Sequence, residues 1–201
     1  MTGDVTMLTS SNGSEGGSAG RRIRVAFQGA AGAFSEEAAI GLFGDSAEYV
    51  PCERFTDVGA LLAGGVVTHG VLPLENAIAG PVHASLAVLA HYSFTEVCRV
   101  DHPIRMFLLG TPDAVLDDVR RVISHPVALQ QCGMFLGRLS RAVATPFFDT
   151  AGAAREVALR RTRELASISP PATAARFGLS VLACDVHDRQ DNFTRFALVV
   201  A

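Results

Sequence analysis

The sequence predicts an α/β fold on mostly parallel sheets. Three observations carry this expectation. Short β-branched or aromatic runs alternate with helical stretches along nearly the whole chain. Glycine, proline and Asp-Thr pairs punctuate the runs where strands should hand over to helices. A first strand, a glycine loop and a helix then follow one another at the start of the ordered region, over residues 23–42.

Ile23-Arg24-Val25-Ala26-Phe27 reads as the first strand, and it breaks at Gln28-Gly29-Ala30-Ala31-Gly32-Ala33-Phe34. Ser35 is the expected N-cap of a helix to about Leu42. A strand is expected around Tyr49–Val50, a helix from about Thr56 to Ala63, and another strand over Gly70–Glu75. After Asn76–Gly80, Pro81 is placed in the first turn of a helix to about His91, where its missing N–H costs nothing. Phe94–Val100 and Ile104–Leu109 read as strands. The second half repeats the design. Val119–Ile123 is a strand, Ser124-His125 a turn, and Pro126 opens an apolar helix to about Leu139. Ala144–Phe148 leads to Asp149-Thr150, which cap a helix from Ala151 to about Arg163. Leu165–Ser169 is a short strand and Pro171–Phe177 a short helix stopped by Gly178. Leu179–Ala183 is a strand or connection, and the chain ends on a strand from Asn192 onward.

Composition narrows the function. With 201 residues, 49% of them hydrophobic, the chain can bury one good core or two small ones. A net charge of -3 argues against a nucleic-acid surface. Every basic side chain other than histidine is arginine, so a lysine Schiff base is excluded. No apolar run approaches the roughly 18 residues of a membrane span. Residues 1–20 are Gly/Ser-rich at their end and read as a disordered leader, not a signal peptide. Cys52, Cys98, Cys132 and Cys184 are widely spaced, which suits buried reduced thiols in a cytoplasmic protein and leaves no zinc or other metal spacing. The G-x-x-G of the first loop is neither a dinucleotide fingerprint nor a P-loop.

Four strand-to-helix junctions stand out: Gly29–Ser35, Glu75–Gly80, Ser124–Pro126 and Asp149–Thr150. Ligands of open α/β folds collect at such junctions, and helix N-termini suit a substrate with more than one carboxylate. In the last strand, alternation puts Asn192, Thr194 and Phe196 on one face and Phe193, Arg195 and Ala197 on the other. That offers an amide, a hydroxyl and a ring side by side.

Taken together, Gly29–Glu36, Pro73-Leu74-Glu75-Asn76, Ser124-His125-Pro126 with Gln130-Gln131-Cys132, Asp149–Ala154 and Asn192-Phe193-Thr194-Arg195-Phe196 resemble the prephenate dehydratase family, in order and spacing, over residues 23–200. The resemblance implies two α/β lobes like those of a type II periplasmic binding protein, with the active site in the cleft between them. Residues 21–100 and 186–201 would form the first lobe and residues 101–185 the second. It implies loss of carbon dioxide and water from prephenate, or from arogenate, without metal or organic cofactor, by a cytoplasmic homodimer. Thr194 is then the expected donor to the leaving hydroxyl. Asn76, Ser124 and Gln131 are expected to bind or orient substrate, with Thr150 and Ser35 behind them. Glu75 would polarise the site or be a buried carboxylate satisfied by backbone N–H groups, and Arg195 would meet a carboxylate or, as alternation suggests, form an ion pair facing away. His125 is expected to cap or pack.

Departures from the family pattern qualify this. Ala30 stands for a proline, Ala33 and Ala77 for hydroxyl residues, and Val127 for a glutamine. A missing hydrogen bond to a charged group costs about 1.5–3 kcal/mol, so a modified substrate or weaker binding is implied. No regulatory ACT domain is expected after the last strand, nor feedback through one. A non-aromatising prephenate decarboxylase and a non-catalytic dicarboxylate-binding protein are the alternatives.

Overall fold

Two sheets, one to each lobe, organise the residues that the computed structural model describes, 22–201. The leader expected over residues 1–20 lies outside them. The first sheet takes β1 (Ile23–Gln28), β2 (Ala47–Cys52), β3 (His69–Asn76), the two-residue β4 (Gly80–Pro81) and β5 (Thr95–Pro103), together with the final strand of the chain. Its helices are α1 (Phe34–Phe43), α2 (Phe55–Ala63) and α3 (His83–His91). The second sheet is built from β6 (Phe107–Gly110), β7 (Arg121–Ser124), β8 (Val143–Pro146), β9 (Leu165–Ser169) and β10 (Ser180–Ala183). Its helices are α4 (Pro126–Gln131), α5 (Gly133–Leu136), α6 (Thr150–Arg160) and α7 (Ala172–Phe177). The chain then returns to the first sheet as β11 (Phe193–Val200). Strand orders are β2-β1-β3-β11-β5 and β10-β6-β9-β7-β8.

Helices cover both faces of the first sheet, and the strands are apolar on both faces as a result. Val25, Val71, Phe196 and Leu198 pack with Ala38 and Ala39 of α1 on one side. Ala26, Leu72, Ala197 and Val199 pack with Val58, Leu62 and Val88 on the other. A fully buried Phe or Leu is worth about 1.5–3 kcal/mol, so β11 is held from both faces by packing as well as by its ladder. In the second lobe Ile168 and Ala166 face one cluster with Ala128 and Leu129, while Leu165 and Ile123 face Val157 of α6.

The sheets are mixed rather than mostly parallel. β1 pairs in parallel with β2 and β3, and β7 with β8 and β9. β11, however, is antiparallel to both its neighbours, and β6 is antiparallel to β9 and β10. The reason is the returning chain: β11 enters the first sheet from the second lobe at the end where β5 and β3 finish, Phe193 beside Pro103 and Thr194 beside Asn76, and so runs against both. Pro81 also falls outside its expected helix. Gly80 takes φ 82° and turns the chain back, so Pro81 pairs with Glu75 and α3 begins at His83. The N-cap of α1 is Ala33 rather than Ser35, and the helix expected to reach Leu139 divides at Cys132 into α4 and α5.

The chain crosses between the lobes twice, and the crossings are bonded to one another. Ile104 N–H donates to the Asn192 carbonyl at 2.9 Å, and Val186 N–H donates to the Met106 carbonyl at 2.8 Å. No helix among the described residues is long and apolar enough to cross a membrane.

Candidate active site

A cavity of about 560 Å³ opens where the lobes face each other. Phe34, Phe55, Pro81, Ile104 and Met106 give it apolar walls suited to a ring. The polar groups come from strand ends and helix termini of both lobes. From the first lobe come Asn76, Thr194 and Ser35, and from the second Gln131, His125 and Thr150.

Thr194 and Asn76 are directly opposite in the β3–β11 ladder. The two hydrogens of Asn76 Nδ2 are shared among three acceptors, Thr194 Oγ1 at 3.0 Å, Asn192 Oδ1 at 2.8 Å and the Phe193 carbonyl at 2.9 Å. Its Oδ1 accepts from the backbone N–H groups of Ile78 at 3.1 Å and Ala79 at 2.9 Å, and from Gln131 Nε2 at 3.2 Å. Backbone donors cannot be flipped, so Oδ1 must face them and Nδ2 must face Thr194. The Thr194 oxygen is therefore an acceptor on the Asn76 side, which leaves its own hydrogen to be donated elsewhere. Thr194 is 8% exposed, so little water competes for that hydrogen.

Three helix N-termini open on the same space. At α1 the cap residue is Ala33, which offers no side-chain oxygen, and the N–H groups of the first turn point out uncapped. At α4 His125 Nδ1 accepts from Val127 N–H at 3.3 Å, and at α6 Asp149 Oδ1 accepts from Gly152 N–H at 2.5 Å. The fourth expected junction, Glu75–Gly80, enters β4 and supplies Asn76 and Ala79 to the wall instead of a helix start. Among the lining residues the ionisable side chains are His125 and Asp149. Burial pushes the His125 imidazole below its ordinary range, and the Asp149 carboxylate offsets part of that. Among the described residues no arginine lines the wall, so carboxylates entering here would meet N–H dipoles, amides and hydroxyls.

The expected site residues thus separate into two groups. Thr194, Asn76, Gln131, Ser35 and Thr150 share the cavity. Ser124 does not reach it: fully buried at the end of β7, it donates to the Ile168 carbonyl at 2.6 Å. Arg195 and Glu75 lie on the opposite face of the sheet. Arg195 grips Asp101 through Nε at 2.7 Å and Nη2 at 2.8 Å, and reaches Glu75 at 3.0 Å. Of the replaced hydroxyl positions, Ala33 is on the wall, whereas Ala77 is exposed and only its N–H is used, to the Phe193 carbonyl.

Sequence reasoning passed over Asn192 as a site residue, although strand alternation already placed it beside Thr194. It also left out the aromatic groups Phe55 and Phe148. Glu36 was missed too. It is 5% exposed, accepts the Gly32 N–H and receives Arg176 of α7 at 3.3 Å, an ion pair between the lobes. No signal in the sequence joins residues so far apart.

Comparison with known proteins places this geometry in a family. The family model described as prephenate dehydratase matches residues 25–201. Arogenate dehydratase 2 of Petunia hybrida is 38% identical over 192 residues, which are 96% of this chain and 48% of that one. Arogenate dehydratase/prephenate dehydratase 2, chloroplastic, of Arabidopsis thaliana is 36% identical, with 96% and 50% covered. The chain spans about half the length of the curated relatives it matches. Among solved structures, the prephenate dehydratase from Arthrobacter aurescens in complex with L-Phe is 29% identical, with a TM-score of 0.82 over 89% of this chain and 60% of that one. GqqA, described as a novel type of quorum quenching acylase, is 31% identical, with a TM-score of 0.80 over 88% and 63%.

Proposed function

The chain belongs to the prephenate dehydratase family, and from that premise we propose that it converts prephenate to phenylpyruvate, or arogenate to phenylalanine, with Thr194 as donor to the leaving hydroxyl. The observation that carries this is the 3.0 Å bond from Asn76 Nδ2 to Thr194 Oγ1, in a direction the backbone fixes.

The chemistry follows from the bonds that change. The bond between the ring and its carboxylate breaks, and its electron pair enters the ring as carbon dioxide leaves. The ring C–O bond breaks in turn, and the departing hydroxide takes the Thr194 proton to become water. Threonine is a very weak acid, so proton transfer and C–O cleavage are concerted rather than stepwise. Negative charge growing on Oγ1 meets the Asn76 N–H already aimed at it, and this bond strengthens in the transition state. Solvent restores the proton when products leave. The side-chain carboxylate is assigned to the uncapped N-terminus of α1, where N–H groups and helix dipole favour an anion. Acyl hydrolysis would instead need a base on Oγ1. Among the described residues, the side chain bonded to it is the Asn76 amide, a donor.

The reading extends to aromatic amino-acid biosynthesis by a homodimer in the cytoplasm, although the Arabidopsis relative is named chloroplastic. Purified protein given prephenate or arogenate, followed by ultraviolet absorbance and NMR, tests it. Phenylpyruvate or phenylalanine supports the reading. A dihydro-hydroxyphenylpyruvate would mean decarboxylation without aromatisation, and binding without turnover would mean a binding protein. Sedimentation velocity reads the oligomeric state.

A further inference from the structure

Asn192 stands where the chain re-enters the first lobe, one residue ahead of β11. Its backbone carbonyl accepts Ile104 N–H from the outgoing crossing at 2.9 Å. The side chain is 3% exposed and is not on the cavity wall. It nevertheless joins the two amides that are.

Asn76 Nδ2 donates to Asn192 Oδ1 at 2.8 Å, Asn192 Nδ2 donates to Gln131 Oε1 at 3.1 Å, and Gln131 Nε2 donates to Asn76 Oδ1 at 3.2 Å. Three carboxamides form a closed ring, each donating to the next. The sense of the ring is fixed, because the Ile78 and Ala79 N–H groups hold Asn76 Oδ1 and so dictate the facing of the other two amides. Asn76 and Asn192 belong to the first lobe, at the end of β3 and the entrance of β11. Gln131 belongs to the second, at the last residue of α4. The ring is complete only with the lobes together.

We infer that Asn192 is a positioning residue that ties the amide holding the Thr194 oxygen to Gln131 of the second lobe, so that this amide is steadied when the lobes close. With the lobes closed, Gln131 and Asn192 hold the Asn76 amide in place from opposite ends. Its N–H is then held against the Thr194 oxygen from both lobes, which leaves the hydroxyl hydrogen for a ligand in the cavity. With the lobes apart, Gln131 leaves the ring; Asn76 keeps its facing through Ile78 and Ala79 but loses the hold from the second lobe, and Asn192 Nδ2 loses its acceptor. A substrate that draws the lobes together therefore steadies the amide behind its own proton donor as it is enclosed away from water. The inference rests on the reading of Thr194 as donor.

Asn192→Ala and the near-isosteric Asn192→Asp test it, since a carboxylate cannot donate to Gln131 Oε1. Side-chain carboxamide signals of Asn76 and Gln131 are followed by NMR, and kcat and KM are measured on whichever of prephenate and arogenate is turned over. Both variants are expected to shift both amide signals and to lower kcat by roughly tenfold or more while KM stays within about threefold, the signature of an interaction made in the transition state. Unmoved amide signals in Asn192→Asp overturn the ring. A raised KM with intact kcat makes Asn192 a substrate ligand and also overturns the inference. So does a kcat loss that disappears when each variant is assayed well below its own melting temperature, which is a stability effect alone. If the wild-type protein turns over neither compound, the dehydratase reading falls by itself, and the NMR arm still decides whether the ring exists.

Discussion

Asn76 holds the Thr194 oxygen at 3.0 Å from one side, and the cavity lies on another. A hydroxyl has one hydrogen, and the amide N–H repels it from the Asn76 direction. Thr194→Ala removes the donor without disturbing the amide ring. We expect kcat to fall about 10²–10³-fold, the scale for removing one preorganised donor, and Thr194→Ser to keep most of the activity. Steady-state assays on prephenate and arogenate read this, and full activity in Thr194→Ala would reject the assigned role.

Ser124 shows the opposite case. Its hydroxyl is spent on the Ile168 carbonyl at 2.6 Å inside the second lobe. Ser124→Ala should therefore cost stability, on the order of 1–3 kcal/mol for a disrupted buried hydrogen bond, and leave KM alone. Urea unfolding beside substrate titration separates the two, and a raised KM at unchanged stability would return Ser124 to the substrate.

Arg195 is the family-signature residue most easily taken for an anion binder, yet it bridges Asp101 of β5 and Glu75 of β3 across β11. Arg195→Gln should leave KM unchanged and lower the melting temperature, with a smaller effect at high salt because the groups are solvent-exposed. Its hydrogen bond to Asp101 holds that carboxyl below its ordinary range, outweighing the small desolvation effect. A depressed carboxyl stabilises the fold above its unfolded pKa, and the contribution is lost as pH falls through the depressed value. Acid unfolding of the variant should accordingly begin from a lower plateau and show a shallower decline than wild type.

The facing of Thr194 and Arg195 was legible in the sequence because a strand alternates with period two, a purely local rule. The helix starts at Pro126 and Asp149-Thr150 were legible for the same reason, through cap chemistry. Ser124 was not. It ends a strand, and whether a last residue turns inward or into the cleft depends on β9, which is forty residues further on. Pro81 was misplaced because the sequence signal for a first helical turn also serves a hairpin once Gly80 reverses the chain. The amide ring needed Asn76, Gln131 and Asn192 brought together from three separate elements, and no spacing rule carries that.

His125 gives the site a pH dependence. Burial keeps its imidazole below the ordinary range, with Asp149 offsetting part of the effect, and Nδ1 is an acceptor for Val127 N–H. The unfolded chain takes up the proton first, near pH 6.5. Stability is therefore full above about pH 6.5 and declines as pH falls through the depressed folded value. His69, also lowered by burial, adds a decline of the same sign. His125→Asn keeps an oxygen for the Val127 cap but cannot titrate, so it should lose less stability than wild type between about pH 7.5 and about 5.5. Parallel stability curves from chemical denaturation at each pH would show that His125 does not contribute.

Closure of the lobes can be tested at Gly32, which is not among the residues lining the cavity. Gly32 has φ 91°, and a Cβ there would lie 2.6 Å from Thr173 Cγ2 on α7. Thr173 cannot swing away, because it is fully buried and its hydroxyl donates to the Pro170 carbonyl at 2.6 Å. Gly32→Ala thus meets two penalties. The left-handed backbone costs about 1–2 kcal/mol, and the crowding against α7 costs about 1–3 kcal/mol unless the lobes part. Parting would stretch the Glu36–Arg176 pair and withdraw Gln131 from Asn76. Gly44→Ala is the matched control, since Gly44 also has positive φ but nothing lies within 4 Å of its Cβ position. Both variants should lower the urea midpoint, whereas Gly32→Ala alone should lower kcat/KM and enlarge the radius of gyration seen by small-angle scattering. Equal catalytic behaviour of the two would show that the contact at Gly32 does not govern closure.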